Sequence, residues 1–144
     1  LKQAKNAINP PNLNFLGGDV TQEVPPGVWD VVILSNVLEH IDGRSEFLRA
    51  LLKASMASRI LIRVPLFERD WQMPLRQELG IEYYSDADHK IEHKLDELYR
   101  ELNESGIKVV EVQTLWGEIW VDCSAESIKR SRPVIPASNS PEPT

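Results

Sequence analysis

The chain of 144 residues has a single cysteine, Cys123. A lone thiol excludes an intrachain disulfide and fits a reducing cytoplasm; on a strand it reads as a small buried hydrophobe. No apolar run approaches the roughly 18 residues that a membrane span needs, and the first residues lack the charged-then-apolar pattern of a secretory signal. Positive charge is also short. Sixteen Lys and Arg against 22 Asp and Glu leave a net charge of −6, which argues against a nucleic-acid partner, because domains that hold a phosphate backbone carry a basic face. Glycine is scarce as well: Gly17, Gly18, Gly27, Gly43, Gly80, Gly106 and Gly117 are the whole set. None are spaced as Gly-x-Gly, so the dinucleotide fingerprint is absent and a nicotinamide-dependent enzyme is disfavoured. There is no internal repeat. What remains, 42% hydrophobic and 26% charged, is the composition of one ordinary globular domain.

Along the chain, helical and strand patterns alternate. Leu1, Ala4, Ala7 and Ile8 share a helical face that Asn9-Pro10-Pro11 stops, since proline lacks an amide hydrogen and clashes with the preceding turn. Residues 13–16 read as a short strand. Residues 30–35 form a continuous apolar run, the habit of a parallel strand buried on both faces. After the Asp42-Gly43 turn, Phe47, Leu48, Leu51, Leu52 and Met56 mark an amphipathic helix. Residues 59–64 give the next strand, closed by Pro65. Residues 66–93 show no clean period, and such long connections are where function tends to reside. Leu95, Leu98, Tyr99 and Leu102 define another helix, with Gly106 placed for a left-handed cap. Residues 109–112 and 119–122 flank Trp116-Gly117. Strands this close in sequence must be antiparallel, because a parallel crossover needs a dozen or more residues. Residues 126–144, rich in proline and serine, bury too little apolar surface to offset the entropy of ordering and read as a disordered tail.

The segment Asp30-Val31-Val32-Ile33-Leu34-Ser35-Asn36-Val37-Leu38-Glu39-His40 resembles the motif after the fourth strand of class I S-adenosylmethionine-dependent methyltransferases of the type 11 group. Asn14-Phe15-Leu16-Gly17-Gly18-Asp19-Val20 is similar to the end of that family's third strand, and the likeness extends over most of residues 1–123. The resemblance implies an α/β, Rossmann-like, mostly parallel sheet with a C-terminal antiparallel hairpin, in the strand order 3-2-1-4-5-7-6. It also implies that residues 1–125 form the C-terminal part of such a domain, lacking the first strand-helix-strand unit of roughly 30 residues or more. Leu1 in place of methionine fits an N-terminal truncation. With their neighbours missing, residues 13–16 are expected either unpaired or slid against residues 30–35.

The resemblance further implies S-adenosylmethionine as cofactor. Asp19 and Val20 would meet its adenine, and Ser35 and Asn36 its amino-acid end and the substrate. The same residues also have plainer readings, Asp19 as the closer of a turn and Ser35-Asn36 as a cap. His40 is the candidate general base, because an imidazole titrates near neutral pH, although a local packing role suits it equally. Glu39, Trp71, Tyr84 and His89 are the candidate substrate-binding residues. In ubiquinone-type and small-RNA methyltransferases an E-x-x-E-H segment supplies magnesium ligands; here it reads Asn36-x-x-Glu39-His40. Magnesium prefers carboxylate oxygen, so the loss of the first acid favours a metal-free site. His89-Lys90-Ile91-Glu92-His93 matches the inverted zinc-peptidase signature, but no third ligand on a following helix accompanies it. The reading is therefore methyl transfer to a small-molecule acceptor, incomplete in this fragment, in the cytoplasm, with no nucleic acid, no membrane and no resident metal. The alternative is a non-catalytic remnant that serves as an interaction module.

Overall fold

The computed structural model describes residues 12–25 and 27–125. The expected helix over residues 1–8 and the tail from 126 lie outside the described residues. Four strands form one sheet in the order β1-β2-β4-β3: β1 Val31–Ser35, β2 Arg59–Pro65, β3 Lys108–Leu115 and β4 Glu118–Ser124. Three helices connect them, α1 Arg44–Ser55, α2 Gln72–Glu78 and α3 Leu95–Glu104. No helix among the described residues is long and apolar enough to cross a membrane.

β1 and β2 run parallel, with Val31 opposite Arg59 and Ser35 opposite Arg63. β4 is antiparallel to both β2 and β3. This order matches the 4-5-7-6 half of the expected sheet. Of the three pairings among the described residues, one is parallel, and the expected antiparallel hairpin of β3 and β4 supplies the other two. The strand expected at residues 13–16 does not form. Extended backbone becomes a strand only where a partner's amides meet it, and among the described residues β1 is paired on one side alone. From residues 12–25, only Val20 and Val24 pack against the core.

Pleating places Leu34, Ile60, Ile62, Val64, Ile119, Val121 and Cys123 on one face, all buried. α1 and α3 cover that face with Leu48, Leu51, Leu98 and Leu102. The Asp42-Gly43 turn works as expected: Gly43 takes φ +64°, and its carbonyl accepts the first helical bond of α1 from the Phe47 amide. Gly106 likewise adopts φ +76° directly after α3, where a side chain would be strained. At the hairpin, Trp116 and Gly117 take φ +53° and +76°. Two consecutive left-handed residues are the twist that a two-residue hairpin requires. Cys123 is fully buried, and burial pushes its thiol up to about 12.

Candidate active site

β1 delivers Ser35 and Asn36 to the carboxyl end of the sheet, where open parallel folds hold their ligands. Asn36 adopts φ +52°, which asparagine tolerates better than most residues. Its amide donates to the Arg63 carbonyl at 2.9 Å, so β1 stays paired one residue beyond Ser35. The chain then closes a single 3₁₀ turn, Leu38–His40, anchored by the fully buried Leu38.

That anchor drags Glu39 inward to 1% exposure while leaving His40 exposed. Glu39 Oε2 has no hydrogen-bond partner, and His40 Nε2 lies 4.0 Å from Oε1. A buried carboxyl oxygen with no protein partner costs on the order of 1–3 kcal/mol or more unless water or a ligand meets it. The segment around residue 90 folds over the same turn. Lys90 donates its amide to the Glu39 carbonyl at 2.7 Å, and the His89 and His40 rings meet edge to face at 4.8 Å between centroids. One donor atom each from Glu39, His40 and His89 lies within 4.8 Å of the others.

His89 is held from behind. Its Nδ1 lies 2.9 Å from Glu92 Oε1, which also accepts the Ser85 amide at 2.6 Å and the Ser85 hydroxyl at 2.7 Å. Arg69 Nη1 donates to Glu92 Oε2 at 3.0 Å. Burial opposes ionisation of Glu92, but the bonds from Ser85, His89 and Arg69 outweigh it and hold the carboxyl below the usual carboxylate range.

The structure thus gathers Glu39, His40 and His89, with Ser35 and Asn36 immediately upstream. The other expected site residues are engaged as follows. Asp19 closes an exposed Asx turn: its Oδ1 accepts the Thr21 hydroxyl and amide at 2.7 and 2.9 Å, which lowers its pKa. Val20 packs against the core. Trp71 is 72% exposed just before α2, and Tyr84 stacks on Tyr83 at 4.8 Å. The peptidase pattern is not realised. Residues 89–93 are not helical, and His93 is fully buried beside α3, with Nε2 3.5 Å from Glu101. Sequence reasoning missed the grouping of Glu92, Arg69 and Ser85. The only available signal was the three-residue spacing of His89 and Glu92, which the peptidase pattern had absorbed.

No family model matches the sequence, and no curated protein matches it. Solved structures do. The crystal structure of LaPhzM superimposes with a TM-score of 0.58 at 24% identity, covering 85% of this chain and 37% of that one. The small RNA methyltransferase HEN1 gives 0.58 at 15% identity, over 76% of this chain and 16% of that one. The O-methyltransferase NcsB1 from neocarzinostatin biosynthesis, in complex with S-adenosyl-L-homocysteine and 1,4-dihydroxy-2-naphthoic acid, gives 0.54 at 22% identity, over 75% and 32%. The chain therefore spans from about a sixth to somewhat over a third of these structures' lengths. Its sheet order, its crossover helices and these superpositions agree: this chain has the fold of the class I S-adenosylmethionine-dependent methyltransferases.

Proposed function

We propose that this chain forms the acceptor side of a site that transfers a methyl group from S-adenosylmethionine to a nucleophile on a small molecule. The observation that carries the reading is the convergence of a buried carboxylate and two imidazoles at the carboxyl end of β1, where this fold holds ligands. S-adenosylmethionine supplies an electrophilic methyl on a sulfonium; the acceptor's lone pair forms the new bond as the carbon–sulfur bond breaks, leaving a thioether. This chain's residues then have defined tasks. Ser35 and Asn36 present polar groups at the strand end. Asp19 Oδ2 accepts no hydrogen bond among the described residues, and so is open to an amine donor such as the adenine edge. An imidazole, His40 or His89, takes the acceptor's proton as the bond forms, and positioning supplies most of the rate. A small-molecule acceptor suits the net charge of −6 better than RNA does, and the unpaired, buried Cys123 suits a reducing cytoplasm.

The same three side chains also fit a divalent cation. The unpartnered Glu39 oxygen is the group that a cation would satisfy, and two imidazoles beside one carboxylate suit zinc, cobalt or iron better than magnesium. Bound there, a cation would lower the pKa of an acceptor hydroxyl.

The decisive measurement is calorimetric titration of S-adenosylhomocysteine into this chain and into a form extended at its N terminus by its genomic sequence. Saturable binding by either form, weakened at least tenfold by Asp19→Ala, is expected. Absence of binding by both would favour the interaction-module alternative.

A further inference from the structure

We propose that Glu92, seated by Arg69 and Ser85, is a positioning residue that fixes the tautomer of His89, so that Nε2 is the nitrogen offered to the site. Glu92 has a side chain with no exposed surface, and it receives three donors, the Ser85 amide and hydroxyl and the Arg69 guanidinium, with the His89 ring against the same carboxylate. A carboxylate crowded by donors, one of them a permanent cation, has no room for a proton of its own and can only accept. The His89 Nδ1 at 2.9 Å must therefore carry a hydrogen. In a neutral imidazole the other nitrogen then holds the lone pair. Free histidine in water favours the opposite tautomer, so the protein selects a minority form at this position. The selected form is the one a proton acceptor or a metal ligand needs, and carboxylates set behind ligating histidines act in this way.

Ser85 and Arg69 hold Glu92 in place. Ser85 donates its amide to Glu92, and its hydroxyl lies 2.7 Å from Glu92 Oε1 and, at the longer distance of 3.3 Å, beside His89 Nδ1. Arg69 reaches Glu92 with the same Nη1 that donates to the Leu66 carbonyl at 3.2 Å, which ties the clamp to the end of β2. Gly117 makes room for Arg69, since a Cβ built there would lie 2.9 Å from Arg69 Cβ.

The use of His89 rests on the acceptor-side reading given above, but its tautomer does not, and the test separates the two. Long-range proton–nitrogen spectra of the chain labelled with nitrogen-15 histidine, recorded near pH 8 and assigned with His40→Gln and His93→Gln, read the protonated nitrogen directly. A protonated Nδ1 on His89 in the unaltered chain is expected. A protonated Nε2 there overturns the proposal, and this arm needs no variant at residue 92. Glu92→Met, which keeps the bulk and removes the acceptor, should release His89 into a mixture of tautomers. Glu92→Gln, whose carbonyl still accepts from Nδ1, should restore the original spectrum. Titration with cobalt(II) alone should show a loss of about 10- to 100-fold in affinity for Glu92→Met, with most of it recovered in Glu92→Gln. Equal cobalt affinity in all three forms overturns the positioning role. If cobalt binds none of them, only the cation reading falls, and the spectra alone decide the proposal.

Discussion

The two faces of the sheet are made from alternate residues of the same strands, yet they live in different surroundings. On the covered face Ile60, Ile62, Val64 and Ile119 are essentially dry beneath α1 and α3. On the other face Ile33 is 67% exposed and Trp120 36% exposed. That open face is not simply polar. It interleaves Ile33, Leu61 and Trp120 with two cross-strand ion pairs, Arg59–Asp122 at 2.7 Å and Arg63–Glu118 at 2.6 Å, and Arg63 lies over the Trp120 ring at 5.0 Å. A cleft of about 440 Å³ runs across it from Ser35 to Gln113. Sheet alternation alone therefore does not say which side is core. Covering helices decide it, and the paired charges keep apolar side chains solvated on the side they leave open.

The strongest way to break this comparison is a matched pair of truncations. Ile62→Ala should cost about 2–5 kcal/mol, from lost burial plus the cavity left behind. Ile33→Ala, by the same chemistry on the open face, should stay within about 0.5 kcal/mol. Urea unfolding measures both, and similar costs would mean that the open face is covered in solution.

Acid sharpens the contrast next. Glu101 joins α3 to the start of α1 through Arg44, whose Nε and Nη2 both reach its carboxylate. Burial raises the pKa of Glu101, but His93 and Arg44 overcome this and bring it from an ordinary 4.5 to about 2. At 3.5 Å the His93 contact is longer than a good hydrogen bond, so the bidentate arginine carries most of that depression. A carboxyl depressed on folding contributes stability that is fully present above pH 4.5 and is lost as pH falls from 4.5 toward 2. Glu101→Gln should flatten the stability profile across that window, as thermal melts at stepped pH would show. An unchanged acid slope would place the titrating group elsewhere.

The smallest effect belongs to the open-face ions. Asp122→Asn should change stability by less than about 1 kcal/mol, and by less still in about 1 M salt, because the pair is solvent-screened. A larger or salt-insensitive loss would again argue that something shields this face.

Much of this was legible from residue order. The period of Phe47, Leu48, Leu51 and Leu52 announced α1, and the hairpin followed from Trp116-Gly117 set between two short apolar runs. Glu39 and His40 declared themselves at the end of an apolar run, although that run is buried on one face only, with Val31 and Ile33 exposed on the other. Elsewhere the signal failed for physical reasons. Residues 13–16 look like a strand, but pairing is a property of two chains of amides and not of one. α2 was hidden because Trp71, Leu75 and Leu79 turn outward, so no inward stripe betrays it. The clamp on His89 joins residues 69, 85, 89 and 92 across an irregular loop, where no period links one donor to the next.

Gly117 has a reach that its place in the hairpin does not advertise. Its carbonyl accepts the Leu66 amide, and its bare Cα faces Arg69, the arginine that steadies Glu92. Ribosomal synthesis delivers position 117 long after residues 69 to 92 have emerged. The histidine clamp therefore gains its backing only when the β3–β4 hairpin docks, and maturation of the site is tied to the pairing of sequence-distant strands, which is intrinsically slow.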